Sequence, residues 1–251
     1  MRLKIVTTSW DDGHRLDIKL SHLLNKYKIA STIYVSPKNR EWKKSDLLSN
    51  NQIKSLSNYL EIGAHTMTHP VLTAISQSEA YKEIKDSKIY LEKLLAKEVK
   101  MFAYPKGQYN QNIKELTKIA GFLGARTINT YRTAPPNDFF KMGTTNHSVN
   151  RSVSRSLLLS LANNFRFIPY SFYNDWVSVS CKTFDIVQKY GGIWHFWGHS
   201  WQIEENDWWE SLEKVLKYVS KRSGFYYLTN GDILEYLNKL LRTKVRSILE
   251  Q

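Results

Sequence analysis

The chain has 251 residues, 42% of them hydrophobic, and 36 Lys+Arg against 23 Asp+Glu give a formal net charge of +13. That apolar share excludes a disordered chain, and the length suits one large α/β domain as well as two small ones. The single cysteine, Cys181, excludes an intramolecular disulfide framework and a cysteine-rich zinc site, so any metal must be held by His, Asp or Glu.

In chain order, β-rich runs alternate with helical rhythms. Strands are expected over 4–9, 30–36, 60–64, 99–103, 124–128, 192–197 and 225–228. Helices are expected over 15–28, 76–97, 110–120, 157–164, 182–190, 208–221 and 231–249. The helix over 15–28, for example, repeats apolar residues at 16, 20, 23, 24 and 27. Strand–helix alternation implies a mostly parallel sheet, open or closed into a barrel. The stretch 129–175 is poorly patterned, with Ala134-Pro135-Pro136-Asn137-Asp138 and Pro169. It is expected to be an insertion or long loop on a single scaffold, forming a wall of the site.

The chain starts with a short basic and apolar run that ends in two carboxylates, which does not read as a signal peptide. No apolar run approaches the ~20 residues of a membrane span. A cytoplasmic protein is expected, with a peripheral attraction to anionic surfaces. Lysines fall at helical spacings, as in Lys82/Lys85/Lys88 and Lys214/Lys217/Lys221, mixed with Glu. They read as solvated helix faces, and no specific nucleic-acid partner is expected.

Four stretches carry chemistry. In Thr8-Ser9-Trp10-Asp11-Asp12-Gly13-His14 a strand runs into adjacent carboxylates, one able to ligate a metal while the other takes a proton; Gly13 permits the tight turn. In Ile62-Gly63-Ala64-His65-Thr66-Met67-Thr68-His69-Pro70 two histidines at i and i+4 are expected on one face of a helical turn, able to bind one ion together. Asp12 is the candidate third ligand, leaving positions open for water and substrate. Ala103-Tyr104-Pro105-Lys106-Gly107 is a strand followed by a turn that can aim backbone N–H groups at an oxyanion. In Gly192-Ile193-Trp194-His195-Phe196-Trp197-Gly198-His199-Ser200-Trp201, His195 and His199 share one strand face, and a histidine at the end of a buried parallel strand points to function.

These stretches, in this order, resemble the polysaccharide deacetylases of the NodB-homology family, carbohydrate esterase family four. The family's Thr-Phe-Asp-Asp-Gly is similar to Thr8-Ser9-Trp10-Asp11-Asp12-Gly13. Its His-Ser/Thr-x-x-His is matched by His65-Thr66-Met67-Thr68-His69. Its Arg-x-Pro-Tyr/Phe-Gly aligns with Ala103-Tyr104-Pro105-Lys106-Gly107, where alanine replaces the arginine. Its Leu-x-His corresponds to Ile193-Trp194-His195 or to Trp197-Gly198-His199. Asn174-Asp175-Trp176 is the candidate for its fourth motif. The resemblance implies a distorted (β/α) barrel, with Asp12, His65 and His69 binding a divalent metal such as Zn²⁺ and Asp11 as general base. It further implies an oxyanion held by the metal and a backbone N–H near Lys106, and His199 or His195 as the acid, with His199 preferred. Tyr104, Pro105, Lys106 and Trp201 are assigned to substrate. Arg126, near the end of the next strand, is expected to replace the lost motif arginine.

The resemblance thus implies a metal-dependent hydrolase acting on an N-acyl amino sugar in an oligosaccharide, polysaccharide or lipid-linked glycan. A deformylase or cyclic-amide hydrolase of the same fold is the alternative within the enzyme class. An inactive glycan-binding pseudo-enzyme is the alternative outside it.

Overall fold

In the computed structural model, residues 2–150, 152–162 and 175–249 are described. The first strand, β1 (Lys4–Trp10), is buried from Ile5 onwards. A strand hidden on both faces is what a parallel sheet between helices requires. The other strands are β2 (Ser31–Val35), β3 (Glu61–Ala64), β4 (Met101–Ala103), β5 (Gly124–Arg126), β6 (Asn146–His147), β7 (Gly192–Gly198) and β8 (Tyr226–Tyr227). They lie in the order β5-β4-β3-β2-β1-β7-β6, with β8 against the first half of β1, and the paired strands are parallel.

The sheet curls until its edges meet. Met142 N–H donates to Ala125 O (3.0 Å) and Thr127 N–H to Met142 O (2.8 Å). A few residues on, Thr145 N–H donates to His195 O (2.7 Å) and Ser148 N–H to Trp197 O (3.1 Å). Residues 142–148 therefore bridge β5 and β7 and complete a distorted barrel. Part of the stretch expected as an irregular insertion is thus barrel wall. Met142-Gly143-Thr144-Thr145-Asn146-His147 is mostly polar, so it lacks the apolar run by which a buried strand announces itself.

Helices α1 (Asp17–Tyr27), α2 (Asn50–Leu56), α3 (Gln77–Leu95), α4 (Gln111–Ile119), α5 (Val153–Ala162), α6 (Trp176–Tyr190), α7 (Ser200–Glu205), α8 (Trp209–Val219) and α9 (Asn230–Leu249) fill the connections. The starts of four of them are written in the sequence. Ser49 with Gln52 and Ser76 with Glu79 form capping boxes, and Asn110 and Asp175 cap α4 and α6. None of the described helices is long and apolar enough to cross a membrane.

Two cores result. Outward residues such as Val6, Trp10, Ile33, Phe102, Trp194 and Phe196 pack beneath the helices. Inward residues Ile5, Met101, Met142 and Ile193 pack with Ile233 and Leu234 of α9, which plugs the N-terminal end of the barrel. That plug needs Gly124, because a Cβ there would sit 2.3 Å from Leu234 Cδ1. Above the plug the interior becomes polar. Asn230 donates to Thr7 Oγ1 (2.9 Å) and accepts from Tyr34 Oη (2.8 Å). The C-terminal ends of the strands lie beyond this layer.

Candidate active site

Asp11 and Asp12 follow β1 directly. Asp11 N–H donates to Gly198 O at the end of β7 (3.1 Å). Asp12 (φ 80°) and Gly13 (φ 68°) both adopt left-handed backbone. A Cβ at position 13 would also lie 2.9 Å from Val35 Cγ1, so glycine is required there. The reversal sends the two carboxylates to different partners.

His65 follows β3, and its Nδ1 lies 2.7 Å from Ala103 O. A carbonyl only accepts, so Nδ1 carries the proton and Nε2 presents its lone pair. Residues 65–69 are not a helical turn, contrary to the spacing argument. Thr66 (φ 66°) and His69 (φ 64°) are left-handed, and the loop curls back so that the two Nε2 atoms lie 3.1 Å apart. Glu83 of α3 holds the curl, accepting from the N–H groups of Met67 and Thr68 (both 2.9 Å) and from Thr68 Oγ1 (2.8 Å).

Asp12 Oδ1 lies 3.4 Å from His69 Nε2 and 3.9 Å from His65 Nε2. Its other oxygen accepts from Trp201 Nε1 (2.8 Å). Oδ1 itself is buried with no hydrogen bond. One donor atom from each of Asp12, His65 and His69 lies within 4.8 Å of the others. An orphaned carboxylate oxygen and two facing imidazole nitrogens would be costly as they stand. A cation between them satisfies all three, and two nitrogens with one oxygen suit Zn²⁺ or a similar divalent ion. Burial lowers the His65 pKa to about 4, so its ring is neutral at pH 7, as a ligand must be.

Asp11 lies beside this cluster, its Oδ2 4.0 Å from His65 Nε2. Its Oδ1 is gripped by the Arg126 guanidinium. Burial alone would raise the Asp11 pKa, but Arg126, with smaller help from His65 and His199, brings it down to about 2. Arg126 is fully buried, with its guanidinium over the rings of Trp197 (4.8 Å) and Tyr34 (5.2 Å). Arg126 is paired in register with Ala103 on the neighbouring strand.

The two histidines of β7 separate by depth. His195 is level with Thr7. Its Nδ1 faces Gly143 O (3.2 Å) and its Nε2 meets Ser9 Oγ (2.8 Å). Burial, reinforced by Arg126, lowers its pKa to about 3. His199 lies just beyond β7, half-buried, with Nδ1 2.8 Å from Gln202 Oε1. An aromatic rim surrounds it: Trp201 at 5.1 Å between ring centroids, Trp197 at 5.5 Å and His147 at 5.9 Å, with Trp42 beside Trp201 at 5.2 Å.

Several sequence assignments change. Tyr104 N–H bonds to Arg126 O, and its ring is buried in the outer core with its hydroxyl on Phe140 O (3.1 Å). Pro105 has no N–H, so neither residue serves as an oxyanion donor. The Lys106 ammonium reaches Glu41 (2.6 Å), whose other oxygen is 3.3 Å from His69 Nδ1. Trp201 supports Asp12 by its indole N–H. For the fourth-motif candidate, Asn174 lies outside the described residues, Asp175 caps α6, and Trp176 packs on Phe196 and Trp208. Glu83, Gln202 and the Ala103 carbonyl were not singled out from sequence. Glu83 sits among charged residues on an ordinary amphipathic helix, and a backbone carbonyl carries no residue signal. A cavity of about 880 Å³ between α9 and the 135–140 loop holds none of these groups.

The His-His-Asp cluster and the charged Asp–Arg pair thus stand together at the C-terminal ends of the strands, where parallel barrels carry their active sites. Residues 1–125 match the sequence model of the polysaccharide deacetylases, a family of hydrolases acting on amide bonds. The chain is similar to peptidoglycan-N-acetylmuramic acid deacetylase PdaC of Bacillus subtilis, with 27% identity over 118 residues, 46% of this chain and 24% of that protein. It is also similar to the Streptococcus pyogenes deacetylase PplD, solved in complex with acetate (25% identity, TM-score 0.51, covering 55% of this chain and 62% of that one). Over nearly the whole length the fold matches the Xyl-CE4 domain of a xylanase from the hindgut metagenome of Trinervitermes trinervoides. That match has 12% identity and a TM-score of 0.57, covering 94% of this chain and 92% of that one. This chain thus covers under two thirds of PdaC and of PplD. Arg126, His195, His199 and Trp201 all lie beyond the stretch that the family model matches.

Proposed function

We propose that the protein is a metal-dependent hydrolase that removes an N-acyl group, N-acetyl foremost, from an amino sugar in a glycan. The observation that carries this reading is the ionised, Arg126-bound Asp11 set beside the orphaned donors of Asp12, His65 and His69. Zn²⁺ is the proposed ion, and when bound it supplies Lewis acidity, polarising an acyl carbonyl and lowering the pKa of water.

The chain's own residues do the rest. Asp11 stays a carboxylate throughout the working pH range and accepts the proton of the attacking water through Oδ2, the oxygen that Arg126 leaves free. The Lys106 N–H, at a left-handed turn (φ 56°) beside the site, donates to the developing oxyanion. His199, at the rim, gives a proton to the departing amine. His195, with both nitrogens engaged deep in the barrel, braces the wall behind Arg126. Trp42 and Trp201 offer ring faces on which a sugar can stack.

The test combines metal analysis with acetate and formate release from a panel of N-acetyl and N-formyl amino-sugar oligosaccharides. One divalent ion per chain and acetate release are expected, both lost in His65→Ala. Formate alone would replace the acetyl specificity with a formyl one. No acyl release from the metal-loaded protein would favour a glycan-binding pseudo-enzyme. A cytoplasmic site of action belongs to the same proposal, and the +13 charge supports peripheral attachment to anionic membranes or lipid-linked glycans. Failure to co-sediment with phosphatidylglycerol vesicles at physiological salt would remove the membrane part.

A further inference from the structure

The first turn of α7 delivers two supports to the site. Trp201 donates to Asp12 Oδ2 and Gln202 Oε1 lies 2.8 Å from His199 Nδ1. An amide oxygen only accepts, so this contact places the proton of the neutral His199 ring on Nδ1. Nε2 is then the nitrogen whose proton comes and goes. The partner is also uncharged. A carboxylate in its place would stabilise the imidazolium by full charge attraction, whereas an amide does so only through its dipole.

Asp11 stands at the end of β1, and His147 on β6 lies 5.9 Å from His199. On α7 itself the contact is the neutral Gln202. Asp11, although paired with Arg126, already supplies one negative charge. A second carboxylate would tie the proton more firmly to a ring that must release it in each turnover.

We propose that Gln202 is the positioning residue of the proton donor, fixing the Nδ1–H tautomer of His199 without adding charge, so that Nε2 is the nitrogen that delivers the proton. This rests on the hydrolase reading above. Gln202 is half-buried, and its side chain makes no other hydrogen bond among the described residues, so substitution there is compatible with folding.

The experiment follows the His199 ring by NMR in the wild type, Gln202→Glu and Gln202→Leu, assigned with His199→Gln. It needs no substrate. In Gln202→Glu the His199 resonance is expected to titrate about one pH unit higher. In Gln202→Leu the ring nitrogens are expected to lose their tautomer preference. Identical titration and tautomer ratio in all three proteins would overturn the proposal. A second readout is acetate release from tetra-N-acetylchitotetraose, where the alkaline limb of kcat/KM should move up by the same unit in Gln202→Glu. If that limb stays fixed while His199→Gln abolishes release, the positioning role fails and the hydrolase reading stands. If His199→Gln releases acetate like the wild type, His199 is not the acid, whatever the ring titration shows.

Discussion

Asp11→Asn is expected to keep the proposed metal and to lose the proposed acyl release. The amide is nearly isosteric and leaves Asp12, His65 and His69 untouched, so one ion per chain should remain. What it cannot do is take a proton. A positioned general base contributes roughly 10²–10⁴-fold, and a loss of about 10³-fold in kcat/KM is expected. The substitution also strips the buried Arg126 of its counter-charge, and breaking a buried pair costs on the order of 3–5 kcal/mol. Thermal unfolding measured beside the kinetics separates the two effects. The expected product is a destabilised but folded, metal-loaded and inactive protein. Acyl release at the wild-type rate would exclude Asp11 from the reaction.

The cluster of Asp12, His65 and His69 was legible because its signal is local. Asp11-Asp12-Gly13 needs a strand end, a reversal and a glycine, and His65-x-x-x-His69 needs two like residues four apart. The conformation between those histidines was not legible. Spacing suggested a helical turn, but left-handed residues at 66 and 69 and the grip of Glu83 produce a tighter loop with the same outcome. Tyr104 was misassigned for a different reason. Its position beside a turn implied the site, yet strand alternation turns its ring outward, and Arg126 O takes its N–H. The closing strand at 146–147 was hidden by its polar composition. Gln202 was invisible because its role depends on a three-dimensional partner that no spacing encodes. Parallel register, by contrast, explains why Arg126 could be nominated at all. The residue paired with Ala103 on the next strand presents its side chain to the same interior layer.

That register leads to the second large effect. Arg126→Met should cripple turnover by about 10²–10³-fold while sparing metal content, since the guanidinium pairs with Asp11 and not with the proposed ligands, and it should invert the pH dependence of stability. In the wild type the Asp11 pKa falls from 3.8 to about 2 on folding. Such a group adds stability that is fully present above about pH 4 and is lost as pH falls towards 2, a contribution of roughly 2 kcal/mol. Without Arg126, burial becomes the dominant influence on Asp11 and raises its pKa above the unfolded value. The sign then reverses. Stability is fully present below about pH 4 and is lost as pH rises through the raised folded value. Denaturant unfolding of both metal-free proteins at pH 3, 5 and 7 reads this as a difference that widens with pH. A constant difference across that range would mean that Arg126 does not set the charge of Asp11. The role can also be moved. Ala103 is small, its carbonyl bond to His65 belongs to the backbone, and its side chain lies beside that of Arg126. Arginine at 103 alone crowds a second cation into a packed layer and should be harmful. The exchange Ala103→Arg with Arg126→Ala returns one guanidinium to the same layer, one strand over, where the family motif carries it. Recovery of kcat/KM to within about tenfold of the wild type, against roughly 100-fold losses in each single variant, would be a coupling of several kcal/mol, more than distant sites show. An exchange variant no better than Arg126→Ala would mean that the arginine is tied to its strand by packing that reaches beyond Asp11.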